Sequence, residues 1–166
     1  MGVILMFNYL NKLMKFIKKI TAIVTITSLL LISCNTKEKE YNLTLNDGTE
    51  VFYISNDESA ISVNGWSEFN AINKDLLNLK DKEYNITIER LEGLNGAITN
   101  LANTVPSSLK TEEVLEDISD LQEEYTKLIN EKNAPLKNVK QNIEELVEKF
   151  DDLREELNET VEDYIK

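Results

Sequence analysis

Residues 136–164, LKNVKQNIEELVEKFDDLREELNETVEDY, decide the fold. Apolar side chains recur there at Leu136, Val139, Ile143, Leu146, Phe150, Leu153, Leu157, Val161 and Tyr164, in steps of three and four. An α-helix turns once every 3.6 residues, so these positions form one stripe along one side of a helix. Charged residues fill most of the gaps between them. A helix with one oily stripe is stable only when that stripe is covered, so its partners are sought in the rest of the chain.

Working upstream, Asn133-Ala134-Pro135 reads as a corner, because proline suits the first turn of a helix and spoils its interior. A second helix is expected before it, from about Thr111 to Glu131, with Val114, Ile118, Leu121, Tyr125 and Leu128 as its stripe. Thr111 is a suitable N-cap, and Glu112 and Glu113 favour the positive end of the helix dipole. A further helix is expected from about Trp66 to Asn103. Trp66, Phe69, Ile72, Leu76 and Leu79 open it, and Tyr84, Leu91, Ile98 and Val105 continue it by sevens, with Leu94 and Leu101 between. Its middle is weaker: Tyr84, Ile86 and Ile88 alternate like a strand, and Gly93 and Gly96 are poor helix formers that mark a bend or a close approach. Pro106-Ser107-Ser108 ends it.

Ahead of the helices, Tyr41, Leu43 and Leu45 alternate with polar residues, Asn46-Asp47-Gly48 is a turn, and Val51-Phe52-Tyr53-Ile54 is strand-prone, which predicts a short hairpin. A loop from Asn56 to Gly65 follows. The fold class expected is mainly α: an elongated antiparallel three-helix bundle with a short N-terminal β-hairpin. The alternative is a coiled coil, in which the second and third helices merge into one kinked helix that associates with another copy.

The first 37 residues differ in kind. The chain has 166 residues with 30 acidic and 18 basic side chains, a formal charge of -12, no histidine and one cysteine. All the acids lie at or beyond Glu38, whereas the head carries Lys12, Lys15, Lys18, Lys19 and Lys37. Lys15, Lys18 and Lys19 precede the uncharged run ITAIVTITSLLLIS, residues 20–33. As a helix that run is about 21 Å long, short of a bilayer core of roughly 30 Å but the length of a signal-peptide core. Cys34 follows where cleavage would fall.

Leu31-Ile32-Ser33-Cys34 resembles the lipobox of bacterial lipoproteins. Leu31 fits the apolar position and Ser33 the small residue before the cut, while Ile32 is larger than usual at its place. The resemblance implies removal of residues 1–33, with Met14 a possible true start, and attachment of diacylglycerol and further acyl chains, palmitate among them, to Cys34. Two or more chains hold a protein firmly at a membrane. The rest is then organised as a lipidated tether (34–40), a hairpin and loop (41–65) and the helices (66–166). Asn35 after the cysteine favours the outer membrane or cell surface over the inner membrane, if enterobacterial sorting applies.

Catalytic chemistry finds little support. Without histidine, the commonest general base and metal ligand is absent. Glu144 and Glu148, Asp151 and Glu155, and Asp152 and Glu156 are paired at helical spacing, but a solvated helix face accounts for them. Asn46-Asp47-Gly48-Thr49-Glu50 resembles part of a calcium loop superficially, with Leu43 and Leu45 where oxygen ligands belong. No catalytic residue, cofactor or metal site is assigned, and an enzyme is not expected. The acidic balance argues against nucleic acid as a partner.

The aromatic residues read first as core. Trp66, with Phe52 and Tyr53, is the candidate partner contact. The function expected is a lipid-anchored, non-enzymatic envelope or surface protein that binds another protein, a host or envelope protein, through an acidic helical bundle. In architecture and signal it resembles the small helical surface lipoproteins of spirochaetes. Two alternatives are an envelope inhibitor or immunity lipoprotein, and a self-assembling coiled-coil spacer that pairs through the second and third helices.

Overall fold

The computed structural model describes residues 39–55, 57, 59–81 and 88–164. The chain divides into two compact units, Met1–Lys37 and Glu38–Lys166, and every described residue belongs to the second. The protein is mainly helical, with a small three-stranded antiparallel sheet on its N-terminal side.

The sheet comprises β1 (Glu40–Thr44), β2 (Glu50–Ile54) and β3 (Ile61–Val63), in that order. The expected hairpin is present as β1 and β2, turning at Asn46-Asp47-Gly48, where Gly48 takes φ +87°. That left-handed conformation favours glycine because it has no Cβ to clash. The expected loop 56–65 contains β3, which the sequence reading missed. Ile61-Ser62-Val63 alternates inward, outward, inward, but is too short to stand out. Gly65, at φ +83°, then turns the chain into the helices.

Helix α1 spans Ser67–Asp81, α2 Ile88–Glu92, α3 Asn95–Thr104, α4 Glu112–Asn130 and α5 Leu136–Glu162, with a 3₁₀ turn at Ser107–Leu109. The single helix expected from Trp66 to Asn103 is therefore corrected. Its two ends fold against each other: the Trp66 indole N–H donates to Thr104 Oγ1 at 3.1 Å, and Arg90 meets Asp75 at 2.5 Å. Burial is the physical reason. Phe69, Ile72, Leu76 and Leu79 on α1, and Leu91, Leu94, Ile98 and Leu101 downstream, each form an apolar stripe that a straight rod would leave uncovered. The break falls partly at Gly93-Leu94, between α2 and α3, and this also corrects the count of three helices.

The second and third expected helices are present as α4 and α5. Thr111 caps α4 as its spacing suggested, accepting the Val114 N–H at 3.0 Å. The chain turns at 131–135, and α5 returns along α4: Lys127 meets Glu145, and Lys149 meets Asp120 further back. The stripe of α5 is nearly as expected, with two exceptions at its ends: Leu136 is 83% exposed and Tyr164 38%.

One core joins the layers. Trp66 stacks on Phe69 and Phe69 on Phe150, with ring centres 4.9 and 5.5 Å apart, which fastens the sheet-to-helix turn and α1 to α5. Beside these rings lies a buried polar chain. Asn73 donates from its amide to the Ile61 carbonyl at 3.0 Å and accepts from Arg154 at 3.4 Å. The Arg154 guanidinium also pairs with Asp151 and lies over the Phe150 ring. Its charge is thus held by a counter-ion and an aromatic face where water is excluded.

Candidate functional site

The sheet has two unlike faces, set by the two-residue period of its strands. Across it, Leu43, Val51 and Val63 align in one row, and Tyr41, Tyr53 and Ile61 in another. These rows face the core. The outward row Asn42, Phe52 and Ser62 is polar except for its centre, and Thr44 and Glu50 lie beside it. Asn64 donates to the Glu50 carboxylate at 3.1 Å. A shallow groove of about 530 Å³ runs over this outer face, also bordered by Asn70. Phe52 is its one aromatic side chain.

The three aromatics singled out as a partner contact do not share this face. Phe52 is half-buried on the outside. Tyr53 points inward at 2% exposure, and its hydroxyl donates to Glu162 Oε1 at 2.6 Å. Trp66 is fully buried against Phe69. Strand alternation separates Phe52 from Tyr53, and the indole finds its partner inside the protein. Cys34, Leu31, Ile32 and Ser33 lie outside the described residues.

The two sheet edges also differ. Within β1 and β2, Ser55 N–H donates to the Lys39 carbonyl and Leu45 N–H to the Thr49 carbonyl. The odd-numbered residues of β1 therefore face β2, and the backbone groups of Glu40, Asn42 and Thr44 face away. On the opposite edge, Asn70 accepts the Val63 N–H at 3.1 Å and donates to the Val63 carbonyl at 2.6 Å. Asn73 covers the Ile61 carbonyl in the same manner. Two side-chain amides thus take the place of a fourth strand on the β3 edge. Their helical spacing, three apart near the start of α1, gave no hint of this role.

The segment that resembled a calcium loop has a structural task. The Asp47 carboxylate accepts the Ser108 N–H at 2.9 Å, the Ser107 hydroxyl at 2.9 Å and the Thr49 N–H at 3.0 Å. These donors, the Ser108 N–H first, hold its carboxyl well below the usual carboxylate range. Ser107-Ser108-Leu109-Lys110 carries the spacing of a serine–lysine nucleophile pair. Here the Ser107 hydroxyl is spent on Asp47.

Charge gathers along the seam of α4 and α5. Burial raises the Asp117 carboxyl, helped by Asp152 and Asp120, and burial raises Glu156, helped by Glu159, Glu113 and Asp117. Lys149 stands between Asp120 and Asp152 at 3.4 and 3.1 Å. Among the described residues no three acidic, histidine or cysteine side chains converge to hold a metal ion. A second hollow, of about 350 Å³, lies between α3 and α4. Gln122 at its wall donates to the carbonyls of Ile98 and Thr99, and Tyr125 donates to the Leu91 carbonyl. Among the described residues no helix is long and apolar enough to cross a membrane. No protein family, no curated protein and no solved structure matches this chain.

Proposed function

We propose that the protein is a bacterial lipoprotein, held at the outer membrane or cell surface by acyl chains on Cys34, whose folded unit binds another protein without catalysing a reaction. The observation that carries this reading is the order of the first forty residues. A basic segment, an uncharged run of signal-peptide length and Leu31-Ile32-Ser33-Cys34 come in succession. The compact unit begins at Glu38, four residues past the cysteine, so lipidation there leaves the fold intact and a short polar tether between.

In this reading the helices form an elongated bundle that presents acidic faces to the surroundings. Anionic headgroups repel such faces and basic partners are drawn to them. The anchor confines the protein to two dimensions, which raises its effective concentration towards anything else on that surface. The test is metabolic labelling of the native host with a fatty acid that carries a click handle. The wild-type chain takes up label, and Cys34→Ser does not. Equal labelling of the two would overturn the reading.

A further inference from the structure

We propose that the open edge of β1 pairs with β1 of a second copy of this chain, antiparallel about a two-fold axis at Asn42, so that two three-stranded sheets join into one of six strands.

The two edges of the sheet contrast. Asn70 takes up the outward N–H and carbonyl of Val63, and Asn73 the outward carbonyl of Ile61, on the β3 edge. Among the described residues no group occupies those of Glu40, Asn42 and Thr44, whose side chains are exposed. An unpaired edge of this kind is a template for another strand. The β1 edge is also where the core cover is thinnest. Val51 and Tyr53 on β2 are buried, as are Ile61 and Val63 on β3, yet Tyr41 and Leu43 on the same face are only half-buried. An added strand would cover both.

The sequence of β1, Glu40-Tyr41-Asn42-Leu43-Thr44, complements itself. With the axis at Asn42, Asn42 stands opposite its own copy and Glu40 opposite Thr44. All three outward-facing residues then exchange backbone hydrogen bonds. Tyr41 falls opposite Leu43 on the core side, an apolar cross-strand pair made from the two half-covered residues. Glu40 never meets Glu40, so no like charges face each other across the new ladder. A strand of five residues buries less than the roughly 1,000 Å² expected of a stable interface, so the dimer is weak in dilute solution. Its strength in the cell rests on the anchored reading above, since confinement to a membrane supplies the concentration.

Two measurements on the membrane-anchored protein test this. In native membranes under mild oxidation, Asn42→Cys forms a disulfide-linked dimer, because paired residues opposite each other lie about 5.5 Å apart between Cα atoms. Phe52→Cys does not, because its copies stand about 14 Å apart across three strand spacings. In sedimentation of detergent-purified chain, association rises with protein concentration. It also rises with salt, which screens the repulsion between two strongly acidic copies. Asn42→Pro lowers the association constant about tenfold or more, since it removes two central hydrogen bonds and leaves the β1–β2 ladder whole. A monomer at every concentration, a dimer indifferent to Asn42→Pro, or cross-linking no greater for Asn42→Cys than for Phe52→Cys overturns the pairing. Pairing through a basic strand of another protein would give the first of these results. Membrane fractionation is scored separately. A chain that leaves the membrane contradicts the anchor, while a proline-sensitive dimer in detergent still upholds the edge.

Discussion

Asp47 and Ser108, 61 residues apart in the chain, are joined by hydrogen bonds in both directions. The Asp47 N–H donates to Ser108 Oγ at 3.0 Å, and the Ser108 N–H donates to the Asp47 carboxylate at 2.9 Å. The β1–β2 turn is thereby tied to the 3₁₀ turn that leads into α4. An aspartate in a turn ordinarily satisfies its own neighbours, and Asp47 does so through Thr49, but its other oxygen reaches across the fold.

This clamp predicts a dependence on acid. The folded carboxyl titrates below its unfolded value, so it contributes stability above about pH 4, and that contribution is lost as the pH falls further. Asp47→Asn should lower the melting temperature at neutral pH. The gap between wild type and variant should close in thermal melts taken towards pH 2. A gap that stays constant would mean the charge has no part in the clamp.

The seam of α4 and α5 predicts the opposite slope. Asp117 and Glu156 titrate above their unfolded values, so the folded state binds protons more tightly there. Their effect on stability is most favourable below the unfolded value and is lost as pH rises through the folded one. Asp117→Asn and Glu156→Gln should therefore raise the melting temperature at pH 7, and the gain should vanish near pH 4. Lys149 already offsets part of the repulsion at Asp120 and Asp152, so Lys149→Met should make it worse at neutral pH.

The buried Asn73–Arg154 pair predicts coupling between the sheet and the last helix. Asn73→Ala leaves the Ile61 carbonyl without its donor, which costs about 1–3 kcal/mol. Arg154→Ala removes the guanidinium from Asp151 and Phe150 and costs about 3 kcal/mol, and Arg154→Met costs less because it refills the space. In urea titrations the double variant should lose less than the two single losses combined, as residues in one network do. Full additivity would show that the two side chains act independently.

Burial separates the three aromatics once grouped as a partner contact. Trp66→Ala should cost about 3–5 kcal/mol, as truncation of a buried aromatic does. Phe52→Ala, at the outer face, should cost less than about 1 kcal/mol. Equal losses in chemical denaturation would show that Phe52 belongs to the core.

Long periodic segments were legible because their signal accumulates over many residues. Val139 to Val161 repeat through six turns, and Thr111, the cap of α4, sits one residue ahead of its helix. The chain reversal between α1 and α3 was not legible, because the stripes of both pieces are compatible with one long helix. Only the need to bury both decides between a rod and a fold-back. Ile61-Ser62-Val63 is too short to announce a strand, and it is held by Asn70 and Asn73, whose place on α1 has no separate meaning in sequence. Tyr53 and Trp66 looked available for a partner because a sequence does not reveal that Glu162 and Thr104 lie beside them.

Intact-mass and peptide mass spectrometry of the protein from its native host reads the state of Cys34. The expected chain starts at Cys34 and carries a diacylglyceryl thioether with its attendant acyl mass. A chain that retains residues 1–33 and a bare thiol would contradict it.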